Sequence, residues 1–275
     1  MQILKKEITA GSYTALLTCY IRDYYDSFDK DRKRPAILVC PGGAYQYTSE
    51  REAEPVALKF SGMGYQTFVL DYSCSPTGAE YPTALTQALA SIKYIRENAE
   101  EWHIDPKKIT IMGFSAGGHL AANVSVDHEN EAVLKALGAK KNECRPDACV
   151  LCYPVISSGK WAHRGSIDNL MGSKKSDELQ EHLSLENRVN ADTPPTFLWH
   201  TWADGSVPVQ NTLLYALALK DKNVTAEVHI FPFGGHGLSL ANAETSYPAG
   251  IEIQDDCTIW PELADRFLRE VTEER

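Results

Sequence analysis

Residues 109–124 constrain this chain more than any other stretch. Ile109-Thr110-Ile111-Met112 is a short apolar, β-prone run and reads as a buried strand. It leads through Gly113-Phe114-Ser115-Ala116-Gly117 into Gly118-His119-Leu120-Ala121-Ala122-Asn123-Val124, which reads as the start of a helix. A Gly-x-Ser-x-Gly set between strand and helix predicts a tight, strained turn that lifts the Ser115 hydroxyl clear of the backbone. Glycines on both sides let neighbouring chain come close. The plainer reading of the same residues is a glycine-rich turn with a solvated serine.

A serine hydroxyl is a weak nucleophile at neutral pH. It needs a base to take its proton and a carboxylate to orient that base. Pro195-Thr196-Phe197-Leu198-Trp199-His200-Thr201 is an apolar strand-like run that ends at Trp202-Ala203-Asp204-Gly205-Ser206-Val207-Pro208. Further on, Ala226-Glu227-Val228-His229-Ile230-Phe231 alternates like a strand and runs into Gly234-Gly235-His236-Gly237. Ser115, Asp204 and His236 would thus each follow a separate parallel strand, at the carboxyl ends of the strands where such folds bind ligands. Each has a structural alternative. Asp204 can cap the helix that opens near Pro208, and His236 can bond backbone within its own loop. Order, spacing and strand context together favour the catalytic set.

An oxyanion formed on the substrate would need donors. The run 36–40 ends in Pro41-Gly42-Gly43-Ala44-Tyr45, where glycines let N–H groups turn toward a ligand. The expected donors are the N–H groups of Gly43, Ala44 and Ala116. Tyr45, Tyr47, Trp161 and Trp202 are candidate aromatic platforms for a sugar ring, and each reads equally well as core. His119 could line the site but sits poorly for bonding the Ser115 hydroxyl. His200 is the rival base, and its place inside a strand turns it toward the packing layers. The other histidines, His163 among them, read as surface or packing residues.

Two hundred and seventy-five residues suffice for one α/β domain with a large core. A net charge of −10 and scattered lysines and arginines argue against a nucleic-acid partner. No apolar run reaches the ~20 residues that span a bilayer, and the N-terminal residues carry no signal-like apolar stretch. A cytoplasmic location and no membrane partner are therefore expected. Seven cysteines without framework spacing fit a reducing compartment. Cys149 and Cys152 resemble a Cys-x-x-Cys motif, but residues three apart on a strand face opposite ways, so both read as core. Nothing suggests a metal or cofactor, and the oligomeric state is left open.

The chain alternates strand and helix patterns. Strands are expected at 16–21 (paired antiparallel with the residues before it), 36–40, 65–72, 148–155, 196–201 and 226–231, besides the one before Ser115. Helices are expected at 53–62, 83–98, 209–220 and 259–270, besides the one that Ser115 opens. This predicts an α/β class with a mostly parallel central sheet covered by helices on both faces. Residues 156–192 break the rhythm and read as a small cap or lid inserted in a single domain over 1–275.

Several motifs together resemble a known group. Pro41-Gly42-Gly43-Ala44-Tyr45, Asp71-Tyr72-Ser73 with Tyr81-Pro82, Trp102-His103-Ile104-Asp105-Pro106 and the Ser115 segment are similar to the acetyl-xylan-esterase-like branch of the α/β-hydrolases. That branch lies near the bacterial hormone-sensitive-lipase-like esterases. Tyr153-Pro154-Val155, Thr193-Pro194-Pro195-Thr196-Phe197, His200-Thr201 with Asp204, and Gly235-His236-Gly237 extend the likeness over roughly 35–270. The resemblance implies the α/β-hydrolase fold and a cofactor-free serine carboxylesterase that removes small acyl groups, often acetyl, from sugars, oligosaccharides or small alcohols. It implies Ser115, Asp204 and His236 as the triad. Amide hydrolysis on the same triad, or a binding protein on an inactive scaffold, are the rival readings.

Overall fold

A computed structural model describes residues 1–29, 31–248 and 253–273. Its strands are β1 (Gln2–Ala10), β2 (Tyr13–Ile21), β3 (Arg34–Cys40), β4 (Gln66–Asp71), β5 (Ile104–Phe114), β6 (Ala148–Cys152), β7 (Thr196–Thr201) and β8 (Ala226–Phe231). Its α-helices are α1 (Asp26–Asp29), α2 (Glu54–Gly62), α3 (Thr83–Glu97), α4 (Ser115–Asp127), α5 (Glu131–Leu137), α6 (Arg164–Met171), α7 (Asp177–His182), α8 (Gln210–Asp221) and α9 (Trp260–Thr272).

The eight strands form one sheet in the order β1-β2-β4-β3-β5-β6-β7-β8. β1 and β2 pair antiparallel, as do β2 and β4, and every later pair is parallel. The inner strands read as unbroken apolar runs because both of their faces are covered. Ala36, Leu38 and Cys40 pack on one face with α3 and α8, while Ile37 and Val39 pack on the other with α2 and α9. Cys149 and Cys152 fall on opposite faces, as the period of two requires.

Most expected elements stand where the sequence puts them, with two differences. β5 begins at Ile104, several residues before the expected start, because Arg34 still pairs with Ile104 across an irregular register. β6 stops at Cys152 instead of running to 155. Tyr153 takes a φ of 37° and Pro154 follows it, so the chain turns away from the sheet. Segment 156–192 carries α6 and α7 and packs Ile167, Leu170, Met171, Leu183 and Leu185 into the core. It reaches back to the loop after β3, where Asn169 Nδ2 donates to the Ala44 carbonyl at 2.9 Å. Among the described residues no helix is long and apolar enough to cross a membrane.

Candidate active site

Ser115 stands between β5 and α4 with a φ of 51°. That left-handed conformation is costly for a residue with a side chain and persists only where neighbours fix it. Here they do. A Cβ on Gly113 would lie 2.0 Å from the Gly117 carbonyl oxygen, and one on Gly117 would lie 2.1 Å from that of Cys40. Only hydrogen fits at either position, so the turn packs directly on the ends of β3 and β5.

The ends of β7 and β8 bring the partners. His236 Nε2 lies 2.7 Å from Ser115 Oγ, and His236 Nδ1 lies 2.7 Å from Asp204 Oδ2. An ionised carboxylate only accepts, so Nδ1 carries the proton and Nε2 is left to accept from the serine hydroxyl. Asp204 is fixed from its other side. Its Oδ1 accepts from the backbone N–H groups of Ser206 and Val207, each at 2.9 Å. Its Oδ2 also accepts from His200 Nε2 at 3.2 Å. Burial pushes the Asp204 pKa up, but the bonds from His200, His236 and the Val207 N–H, with the His236 charge, outweigh it and hold the carboxyl well below the usual range.

The loop after β3 faces the same serine. Gly43, Ala44 and Tyr45 take successive positive φ values of 129°, 55° and 56°. Among the described residues the N–H groups of Gly43 and Ala44 meet no hydrogen-bond acceptor, although the loop is otherwise well bonded. Ala116 N–H belongs to the first turn of α4, where amides lack helical partners. A cleft of about 250 Å³ opens above Ser115, lined by Gly43, Ala44, Tyr47, Ser49, Arg51, Glu52, His163, Ser206, His236, Gly237 and Tyr247. A larger depression is bordered by Asp105, Lys107 and Glu273, and among the described residues its lining holds no serine, cysteine or histidine.

Four of the sequence candidates for substrate contact are not on this cleft. Tyr45 and His119 are buried and bonded to each other, Tyr45 Oη to His119 Nδ1 at 3.0 Å. His119 Nε2 donates to the Leu183 carbonyl at 3.0 Å, so the pair braces the β3 loop against the 156–192 segment. Burial pulls the His119 pKa down to about 4. Trp202 stands exposed outside the lining, and Trp161 is half-buried under Lys160 Nζ, 4.6 Å from its ring centre. Tyr47 does line the cleft. Among the described residues His200 makes no hydrogen bond to Ser115. It is wholly buried against Asp204, with Nδ1 bonded to Thr212 Oγ1 at 2.8 Å.

His163 and Glu52 also line the cleft, and the sequence gives little sign of either. His163 carried a weak local signal, since it precedes α6 and its ring accepts from Ser166 N–H as a cap. Glu52 lies in the charged run Glu50-Arg51-Glu52-Ala53-Glu54, which looks solvated.

Residues 23–219 match the BD-FAE family. The chain belongs to that family. Among curated relatives of this BD-FAE chain, endo-1,4-beta-xylanase B of Butyrivibrio fibrisolvens is 38% identical over 78% of it and 34% of the relative. The acetylxylan esterase of Xylanibacter ruminicola is 30% identical over 74% of the chain and 41% of the relative. The BD-FAE chain thus spans well under half the length of those two relatives. Among solved structures, the carboxylesterase Cest-2923 of Lactobacillus plantarum is 30% identical and superposes with a TM-score of 0.88 over 98% of both chains. The fold is that of the α/β-hydrolases, as the sequence motifs implied.

Proposed function

We propose that this chain is a serine carboxylesterase that hydrolyses short acyl esters, acetyl above all, of sugars or small alcohols. The observation that carries the reading is the unbroken line from Ser115 Oγ through His236 to Asp204, at 2.7 Å for each step, beside two N–H groups that meet no acceptor among the described residues. Ser115 attacks the ester carbonyl while His236 Nε2 takes the hydroxyl proton. The carbonyl oxygen becomes an oxyanion held by the N–H groups of Gly43, Ala44 and Ala116. The tetrahedral adduct collapses, the bond to the alkoxy oxygen breaks, and His236 returns the proton to the leaving alcohol. Water then attacks the acyl-serine by the same path in reverse, with His236 again as base. Asp204 holds the imidazole in the tautomer that can accept.

The cleft supports a short acyl group. It is small, about 250 Å³, and among the described residues its lining has no Leu, Ile, Val, Met or Phe side chain to bury a long tail. Its tyrosines, histidines and serines suit a hydroxyl-rich leaving group. The acetylxylan esterase relative supports the same acyl choice. We read 156–192 as a cap, since it contributes His163 to the cleft.

The test is Ser115→Ala with 4-nitrophenyl acetate and an acetylated oligosaccharide. The expected loss in kcat is on the order of 10⁴–10⁶, together with loss of labelling by a fluorophosphonate. Hydrolysis that persists in the purified variant would reject the assignment. Acetate esters should outpace octanoate esters, and the reverse order would reject the acyl preference alone.

A further inference from the structure

Glu52 is a buried carboxylate, 4% exposed, set directly behind the loop that offers Gly43 and Ala44. Gly42 N–H donates to its Oε2 at 2.7 Å, and the Tyr153 hydroxyl donates to its Oε1 at 2.7 Å. Tyr153 Oη in turn accepts the Ser239 N–H at 2.8 Å. The two amide directions are fixed by chemistry. Gly42 and Ser239 amides can only donate, so the Tyr153 proton is free for Glu52. Both carboxylate oxygens therefore face donors; burial raises the Glu52 pKa above its ordinary value, and the bonds from Tyr153 and Gly42 partly offset that.

The groups that Glu52 joins belong to two walls of the site. Gly42 directly precedes Gly43 and Ala44, whose backbone is held at positive φ. A Cβ on Gly42 would lie 2.7 Å from Glu52 Oε2 and 2.9 Å from Ser115 Cβ, so carboxylate and nucleophile flank the same residue. Ser239 follows His236 by three residues, and the Tyr153 ring meets the His236 ring edge-on, 5.2 Å between centres. A second bond runs alongside, from Ser239 Oγ to the Arg51 carbonyl at 2.6 Å.

We propose that Glu52 is a positioning residue of the esterase centre: it clamps the β3 loop at Gly42 and, through the Tyr153 hydroxyl, the loop that carries His236. Neither contact touches substrate. Their effect is to hold the oxyanion donors and the imidazole in register before the ester arrives, which is where such donors gain their advantage over water. This inference rests on the esterase reading above.

The test compares Glu52→Gln, Glu52→Asp and Tyr153→Phe with the unaltered chain and with Ser115→Ala. Glutamine keeps the length but places an amide N–H where a donor already points. Aspartate keeps the charge but falls one carbon short. In both, kcat for 4-nitrophenyl acetate should fall by about 10–10², and KM should change less than about threefold. Fluorophosphonate labelling should slow in step with kcat. Tyr153→Phe, which keeps Glu52 and its bond to Gly42, should lose about tenfold and serves if the Glu52 variants do not fold. The inference is overturned if folded variants keep kcat within twofold, or if KM alone changes, while Ser115→Ala is inactive. An active Ser115→Ala would instead reject the esterase reading itself.

Discussion

Changing Asp204 to Asn alters one atom and keeps the shape, so its consequence follows from the donors around the carboxylate. Four N–H groups converge on it. Those of Ser206 and Val207 meet Oδ1 at 2.9 Å, and those of His200 and His236 meet Oδ2 at 3.2 and 2.7 Å. An amide has only one oxygen to offer. If that oxygen faces the histidines, its NH₂ opposes two backbone amides that cannot change their protonation. If it faces the backbone, the NH₂ faces imidazoles, which can move a proton from one ring nitrogen to the other. The second arrangement is therefore the favoured one. It forces the His236 proton onto Nε2, against the Ser115 hydroxyl it should accept from. The base is lost, and kcat should fall by about 10⁴, or about 5 kcal/mol in barrier. KM should hold within a few-fold, because Asp204 does not line the cleft. Initial rates with 4-nitrophenyl acetate measure both. A urea melt alongside should show a loss of about 1–3 kcal/mol for the unmatched donors. A folded Asp204→Asn variant that keeps more than about a tenth of kcat would refute this account of the imidazole's orientation.

Stability should also depend on pH through His119. Burial, only partly offset by the bond to the Leu183 carbonyl, holds its pKa down at about 4, against about 6.5 in an unfolded chain. The folded state stays neutral while the unfolded state takes up a proton. This contribution is therefore complete above about pH 6.5 and is lost as pH falls toward 4, about 2 kcal/mol between pH 7 and 5. His119→Gln should lose that part of the pH dependence in urea unfolding, and identical slopes in the two proteins would count against it. Two glycines near the site should behave oppositely. Gly117→Ala drives a methyl to 2.1 and 2.3 Å from the Cys40 and Pro41 carbonyl oxygens and should abolish soluble folding. Gly205→Ala, whose new methyl meets nothing within 4 Å, should leave stability within about 0.5 kcal/mol by thermal melt.

What the sequence shows about this site divides along a physical line. Ser115, Asp204 and His236 are legible because each follows an apolar run, and a parallel sheet delivers the ends of its strands to one rim. Topology alone brings them near one another, and topology is what hydrophobic patterning encodes. The Gly113 and Gly117 pair is legible for a related reason, since close backbone approach leaves only one residue type that fits. For Tyr45 the sequence leaves platform and core equally open, because its φ of 56° swings the side chain inward to His119 and alternation along the chain carries no record of such a turn.

Glu52 and His200 lie on the other side of that line. Each is a polar group whose burial depends on partners outside its own periodic pattern. Tyr153 is 101 residues away from Glu52, and the Asp204 that His200 bonds is itself shared with His236. A buried carboxylate without donors would be strongly disfavoured, so its place is decided by whether the donors arrive, not by the residues beside it. Local sequence at Glu50-Arg51-Glu52 therefore reads as a solvated charge run even though its last carboxylate is among the least exposed groups at the site. The same reasoning explains why the strand histidine was weighed as a base. Period-two patterning turns His200 inward correctly, but only the fold reveals that Asp204 Oδ2, the Val207 carbonyl and Thr212 Oγ1 already occupy both of its nitrogens. A base must have a nitrogen free to face the nucleophile, and among the described residues His236 is the histidine bonded to Ser115.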